Sequence, residues 1–340
     1  MTSLQRVLTT IGQQEPDRVP YFLLLSLHGA KELNLSIEEY FSKAENVFEG
    51  QKKLREKYGH DCYYTFFYTP IEIEAFGAEV IYSSDGPPNA GAPFLTAEGI
   101  DSLVPPKVKE SKILKRVLDA TAMIKEIAKD EVPIIGVVVS PFSLPVMQMG
   151  FAAYLELIYN EPKKFEKLMQ INSQFCIEWS NAQLEAGATA ICYFDPISST
   201  TIIPRELYLK TGFKVAKETI AQINGPTATH FASGNCLTLM GDLPQTGTAV
   251  VGVSSLEDLT LLKHKADKKL TLLGNLNAIE MRHWSVEETK EKVQTAIKQA
   301  AKGGGFILAD NHGEIPWEIK EETLLAIKEA VEEYGNYSLK

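Results

Sequence analysis

The chain has 340 residues, 44% hydrophobic and 23% charged, room for one large α/β domain or two smaller ones. Its 34 basic against 44 acidic residues leave a net charge of −10, which disfavours non-specific nucleic-acid binding and attachment to an anionic membrane, since both use basic patches. Cys62, Cys176, Cys192 and Cys236 form no CxxC pair and read as reduced thiols of a cytoplasmic protein. Met1–Arg6 opens a polar amphipathic segment with no signal-peptide apolar region, and the longest apolar runs, Tyr21–Leu25 and Ile134–Val139, are too short to span a bilayer.

Taken in order, short apolar runs alternate with amphipathic helices. Arg18–Leu25 reads as a first buried strand leading to Ser26-Leu-His28-Gly29. Ser36-Ile-Glu-Glu39 has capping-box spacing and opens a helix running towards Gly59. His60–Phe67 is a second strand. The segment from Ala78 to Pro106 is rich in Gly and Pro and predicts an excursion over one face of the domain, with a lid as one reading. A helix over 112–128 precedes the strand Val132–Val139, which ends at Ser140-Pro-Phe-Ser-Leu144. Helices over 151–159 and 162–185 follow, the second with Pro162 in its first turn, where a missing N–H costs nothing.

Thr189–Phe194 is a strand ending at Asp195-Pro196, and Pro204 starts a helix that stops at Asn224-Gly225. Pro226–Asn235 then reads as a short strand carrying His230 at its polar, Gly-containing end, with Cys236 early in a following apolar helix. Ala249–Val253 is the next strand, and Ser255–Asp258 begins another helix. Leu270–Leu273 ends at Gly274-Asn275-Leu-Asn277. Ser285-Val-Glu-Glu288 caps a helix that puts Val293, Ala296, Ile297 and Ala300 on one face. Phe306–Ala309 leads to Asp310-Asn311-His312-Gly313, and a final helix over 318–334 buries Leu324, Ile327 and Val331. Strand and helix thus recur about eight times, and the strands are nearly continuous apolar runs, as a helix-covered parallel sheet requires. The reading is a single (β/α)8 barrel spanning 1–340, with a doubly wound open sheet second.

Residues just after barrel strands converge on one mouth. Here these are His28, Tyr68, Glu74, Ser140, Asp195, His230, Ser233, Asn275, Asn277, Asp310 and His312. Two histidines and two carboxylates among them suit a zinc ion with one open position, though the spacing is too wide for a local motif. Plainer readings stand beside these. Asp195 before Pro196 fixes a turn, Glu74 is a first-turn helix charge facing solvent, His230 is held by ordinary hydrogen bonds, and His312 is a loop histidine.

Arg6-Val-Leu with Glu15-Pro-Asp17-Arg18-Val-Pro20, Pro141-Phe-Ser-Leu144, Glu185-Ala-Gly-Ala188 and Leu273-Gly-Asn-Leu276 resemble the uroporphyrinogen decarboxylase superfamily. The similarity covers nearly the whole chain and is closer to the corrinoid-dependent methyltransferase branch. The resemblance implies a (β/α)8 barrel. The decarboxylases carry an arginine-rich stretch after the first strand, suited to a polycarboxylate substrate. Here the stretch is Ser26-Leu-His28-Gly-Ala30, and Tyr68 stands where those enzymes carry an aspartate. The branch that methylates coenzyme M binds zinc through a His-x-Cys pair and a distant cysteine. His230 matches the histidine, Ala232 replaces the first cysteine, and His312 falls at the second.

The resemblance therefore implies a zinc site rewritten towards nitrogen and oxygen ligands, suited to a substrate bound through oxygen. The expected ligands are His230, His312 and Glu74. Asp195 and Tyr68 are expected in catalysis, Asp195 also as an alternative ligand, and His28, Ser140, Asn275, Asn277 and Asp310 at the substrate. The expected activity moves a methyl group from an O-methyl donor, a methoxylated aromatic, to the Co(I) of a cobalamin carried by a separate corrinoid protein. No Asp-x-His-x-x-Gly cobalamin motif is present in this chain. A thiol methyltransferase, a uroporphyrinogen decarboxylase and a non-catalytic corrinoid- or tetrapyrrole-binding protein are the alternatives. A homodimer is left open.

Overall fold

The computed structural model describes residues 1–337. Seven parallel strands form one sheet in chain order: Tyr63–Tyr64, Ile134–Val139, Ala190–Phe194, Thr227–His230, Val250–Gly252, Thr271–Leu276 and Phe306–Asp310. The segment around Tyr21 closes the ring. Tyr21 bridges Leu308 in parallel, the Phe22 N–H donates to the Leu308 carbonyl at 2.8 Å, and on the other side the Asp61 N–H donates to the Tyr21 carbonyl at 2.8 Å. Eight staves thus make the barrel expected from the alternation.

The first two staves are shorter in ladder than their apolar runs predict, because side chains take over the hydrogen bonds. Pro20 has no N–H to give. The Tyr21 N–H donates to Asp61 Oδ2 at 3.1 Å, and Gln51 bridges Leu25 O at 2.7 Å and the Tyr64 N–H at 3.2 Å. The helix expected from Ser36 to Gly59 is two helices, Ile37–Ser42 and Ala44–Tyr58, broken at extended Lys43. Ser42 Oγ and Asn46 Nδ2 both bond back to the Glu39 carbonyl, competing with continued helix. The capping box at Ser36 is present, and Ser285 Oγ accepts from the Glu288 N–H at 3.1 Å. Cys236 lies ahead of a short 3-10 turn, Leu237–Leu239, instead of in a helix, because Glu257 takes the Cys236 and Leu237 N–H groups.

The Gly/Pro-rich excursion holds a small hairpin, Val80–Ile81 with Asn89–Ala90, and is tied to the short helix Pro145–Met149. Gln148 O accepts from the N–H groups of Phe94 and Leu95, and the Phe76 ring stands edge-on to Phe175 of the long helix Pro162–Glu185.

Alternation along the staves sorts the core. Phe22, Leu24, Tyr64, Cys192, Val250, Leu273, Ile307 and Ala309 share the barrel interior, while Phe306 and Leu308 turn to the helices. The helix Ser3–Ile11 crosses the floor, tied by Leu4 N–H to Glu131 O at 2.8 Å and by Gly305 N–H to Thr10 O at 3.0 Å. A buried charge cluster clamps it there. Asp61, fully buried, accepts from Arg6 Nη1 and Arg18 Nη1, each at 2.7 Å, and from Ser3 Oγ at 2.9 Å. Arg6 also makes a two-pronged pair with Asp17, both contacts 2.7 Å.

Candidate active site at the barrel mouth

His230 ends its strand with the imidazole 1% exposed, stacked on Phe194 at 6.0 Å between ring centroids. Its place depends on Gly252 in the neighbouring strand: a Cβ there would lie 2.2 Å from His230 Cδ2. Ala232 adopts φ +51°, a conformation an alanine rarely takes, and its N–H donates to His230 Nδ1 at 3.0 Å. In the neutral ring Nδ1 is therefore the acceptor and Nε2 carries the proton. Burial first, then the charge of nearby His312, pushes the imidazole down to about 3. The Nε2 atom is buried without a partner.

A strap, residues 311–317, runs from the last strand across to the first stave and covers His230. Asp310 Oδ1 accepts from the N–H groups of His312 and Gly313 at 2.7 and 2.8 Å, and its other oxygen is buried without a partner. Burial raises the Asp310 carboxyl from its ordinary value. Gly313 takes φ +91°, and a Cβ there would sit 3.3 Å from the Phe194 ring and 3.4 Å from His230 Cε1. Tyr64 Oη pins the strap by donating to Gly313 O at 2.7 Å, Ile315 N–H donates to Leu24 O at 3.0 Å, and exposed His312 places Nδ1 2.8 Å from Ser233 Oγ. Glu314 accepts a short hydrogen bond from Ser26 Oγ, and burial pushes its carboxyl up to about 7. The lysine of Lys31 donates to the Trp317 carbonyl and lies 4.2 Å from that ring's centroid.

The mouth thus brings His230, His312 and Asp310 together, with Ser233 against His312. It does not bring all the expected residues there. Asp195 turns to the helix side of its strand, opposite to inward Phe194. Ser140 Oγ and Ser143 Oγ donate to its Oδ1 at 2.6 and 2.7 Å, so the pair ties two βα loops together. Tyr68 donates to Glu74 at 2.5 Å, and Arg116 of the helix Lys112–Ala128 stands 3.7 Å from Glu74. Glu74 is drawn to that arginine on the helix side, away from the two histidines. His28 is buried against Trp317 at 6.1 Å between ring centroids, pushed down to about 3 by burial and the Lys31 charge. Asn275 Nδ2 donates to Ser254 O at 3.0 Å, while Asn277 Oδ1 accepts the N–H groups of Ile279 and Glu280, capping the 3-10 turn Glu280–His283.

The expected zinc triad is therefore not assembled. Among the described residues no three His, Cys, Asp or Glu side chains lie close enough to hold a metal ion. His230 and His312 offer two nitrogens where a catalytic zinc takes three protein ligands, and His230 Nδ1 is already engaged. The residues as folded do not fit that ion.

Sequence reasoning missed Tyr64, Ser26 and Glu314. Ser26 and Glu314 do follow strands, and that position was the available signal. Tyr64 looks like one more aromatic of a strand, and only the closed ring shows that its hydroxyl reaches the strap. Among the described residues no arginine pairs with His230, His312, Asp310 or Glu314. Arg6 and Arg18 are in the floor clamp, Arg55 bonds Ser3 there, Arg116 pairs with Glu74, Arg205 pairs with Asp242, and Arg282 sits exposed on a 3-10 turn.

An eight-stave barrel with a polar, acid- and histidine-bearing mouth at its C-terminal face is the architecture of a large class of enzymes. The chain belongs to the family described as Uroporphyrinogen decarboxylase (URO-D), which matches residues 2–334. A uroporphyrinogen decarboxylase of Chloroherpeton thalassium is 28% identical over 284 residues, 78% of this chain and 77% of that protein. One from Magnetococcus marinus is 23% identical and covers 98% of both chains. A solved methyltransferase from Methanosarcina mazei superposes with a TM-score of 0.88 at 19% identity, covering 98% of this chain and 99% of its own. A B12-independent methionine synthase from Shewanella sp. reaches 0.54 at 13% identity, covering 94% and 95%. These two structures share the fold. Among the described residues no helix is long and apolar enough to cross a membrane.

Proposed function

We propose that the chain is a methyltransferase that takes a methyl group from an O-methyl donor, a methoxylated aromatic, and passes it to the Co(I) of a corrinoid carried by a separate protein. The observation that carries this reading is the charge of the mouth. It presents a carboxyl pushed up to about 7, Glu314, and an imidazole N–H, His230 Nε2, with the Phe194 ring against it and no arginine paired to either. Such a lining suits a neutral aromatic ether. A polycarboxylate would meet Glu314 and Asp310, with Lys31 against the Trp317 ring as a lone cation and no arginine fork.

The difficult part of the chemistry is the leaving group. As the C–O bond breaks, the methyl carbon passes to the partner's nucleophilic cobalt and the ether oxygen keeps the bonding electron pair. A phenolate expelled without help at neutral pH is a poor leaving group, since phenols titrate near ~10. In this reading protonated Glu314 gives that oxygen its proton and the His230 Nε2–H orients it. The strap must lift for a donor to reach His230, and Gly313 is where its backbone has the freedom to turn.

Spectroscopy on cobalt tests the reading. The protein is mixed with reduced corrinoid, free or protein-bound, and offered methoxyaromatics, methanol, methylamines and methyl thiols in turn. Consumption of Co(I) with methoxyaromatics alone is expected, and it should persist after metal chelation. Consumption only with thiols, or none with any donor, contradicts it. The curated relatives' name favours a second reading, decarboxylation of a uroporphyrinogen-type tetrapyrrole, which the placement of the arginines opposes.

A further inference from the structure

The barrel interior is not filled. Between the floor helix Ser3–Ile11 and the underside of His230 lies a cavity of about 100 Å³. Leu4, Val7, Leu8 and Ile11 form its floor, and Tyr64 and His230 bound its upper end. Barrel interiors are ordinarily packed by branched side chains from alternate strands. Here two adjacent staves turn small side chains to it, Ala190 and Cys192 from one and Ala228 from the next, while Val250, Leu273 and Ile307 also line it. Nothing in the wall gathers the two to four polar partners that hold a water molecule. An apolar space of this size stays dry and gains dispersion contacts when filled by a guest of a few heavy atoms.

We propose that this cavity is a binding site for a small apolar molecule, a gas or short hydrocarbon, which enters past exposed Leu8 beside the floor helix and comes to rest against the inner face of His230. The site lies on the opposite side of His230 from the strap, so its occupant and a methyl donor do not compete for space. It is independent of the reaction proposed above, because it rests on the shape and lining of the barrel alone.

Xenon is the probe, with ethane as a second guest, applied under pressure to the full chain labelled at its methyl groups. Saturable shifts are expected at the methyls of Val7, Val250, Leu273 and Ile307, and in the His230 ring signals. Leu324 and Val331 in the outer layer should not move. Ala228→Leu, which extends into the void, is expected to remove those shifts, and Ala190→Val serves as the milder filling should the first variant fail to fold. No saturable shift in the parent chain, or undiminished shifts in a folded filled variant, overturns the proposal. Magnetisation transfer from ordered water to the same methyls also overturns it.

Discussion

Glu314 is where the chemistry proposed here is most exposed to test. Its carboxyl is held near neutrality by burial, against the lowering effect of the Ser26 hydrogen bond, and the proposed role needs its proton. Methyl transfer should then be flat at low pH and fall as pH rises through about 7. Glu314→Gln should lower the rate by about 10²–10⁴-fold, the usual worth of a general acid, and should abolish that limb of the pH profile. An unchanged profile in the variant removes Glu314 from the role. His230 was legible in the sequence because it stands at a strand end in a polar loop. Asp195 and Glu74 also stand after strands, yet local partners, the serines and Arg116, draw them to the helix side. A side chain's direction at a strand end depends on such partners, which spacing along the chain does not reveal.

The strap and the floor clamp are the elements that hold the site in shape. Tyr64→Phe keeps the ring and deletes the hydrogen bond to Gly313 O, a change worth about 1 kcal/mol. Amide exchange of residues 312–315 should then quicken by about 5-fold while the rest of the barrel is unaffected. Equal protection in both proteins would show that Tyr64 does not hold the strap. In the clamp, Asp61→Ala leaves Arg6 and Arg18 partly buried without their shared partner and should destabilise the fold by about 3–5 kcal/mol in denaturant melts. Arg6, Asp17 and Arg18, among the residues that carried the family resemblance, belong to this clamp. They mark the family by its architecture and say little about its reaction. The alternation of staves and helices was readable throughout. The short ladders of the first two staves were not, because their hydrogen bonds go to Asp61 and Gln51 side chains distant in sequence.

At the scale of the whole molecule, buried titratable groups set a pH optimum for stability. His28, His60 and His230 are each pushed down to about 3 from an ordinary 6.5, so their contribution is lost as pH falls below 6.5. Glu72, which accepts the Val139 N–H, is pushed up to about 8, and Glu314 to about 7, from an ordinary 4.5. Those carboxyls are protonated in the folded chain and lose stability as pH rises towards 8. Above 6.5 only the carboxyls of this set still titrate, so the melting temperature should decline from about 6.5 to about 8. Glu72→Gln, neutral throughout, should flatten that decline. A melting temperature that rises over the same range would contradict the assignment. The central functional claim concerns the fate of one carbon atom, and isotope tracing reports it most directly. The protein is incubated with reduced corrinoid and a methoxyaromatic carrying ¹³C in its methyl group, and in parallel with a uroporphyrinogen-type substrate. Label recovered on cobalt with release of the free phenol, and no carbon dioxide from the tetrapyrrole, is the expected result. Label left in the ether while the tetrapyrrole loses carbon dioxide would contradict methyl transfer and establish decarboxylation in its place.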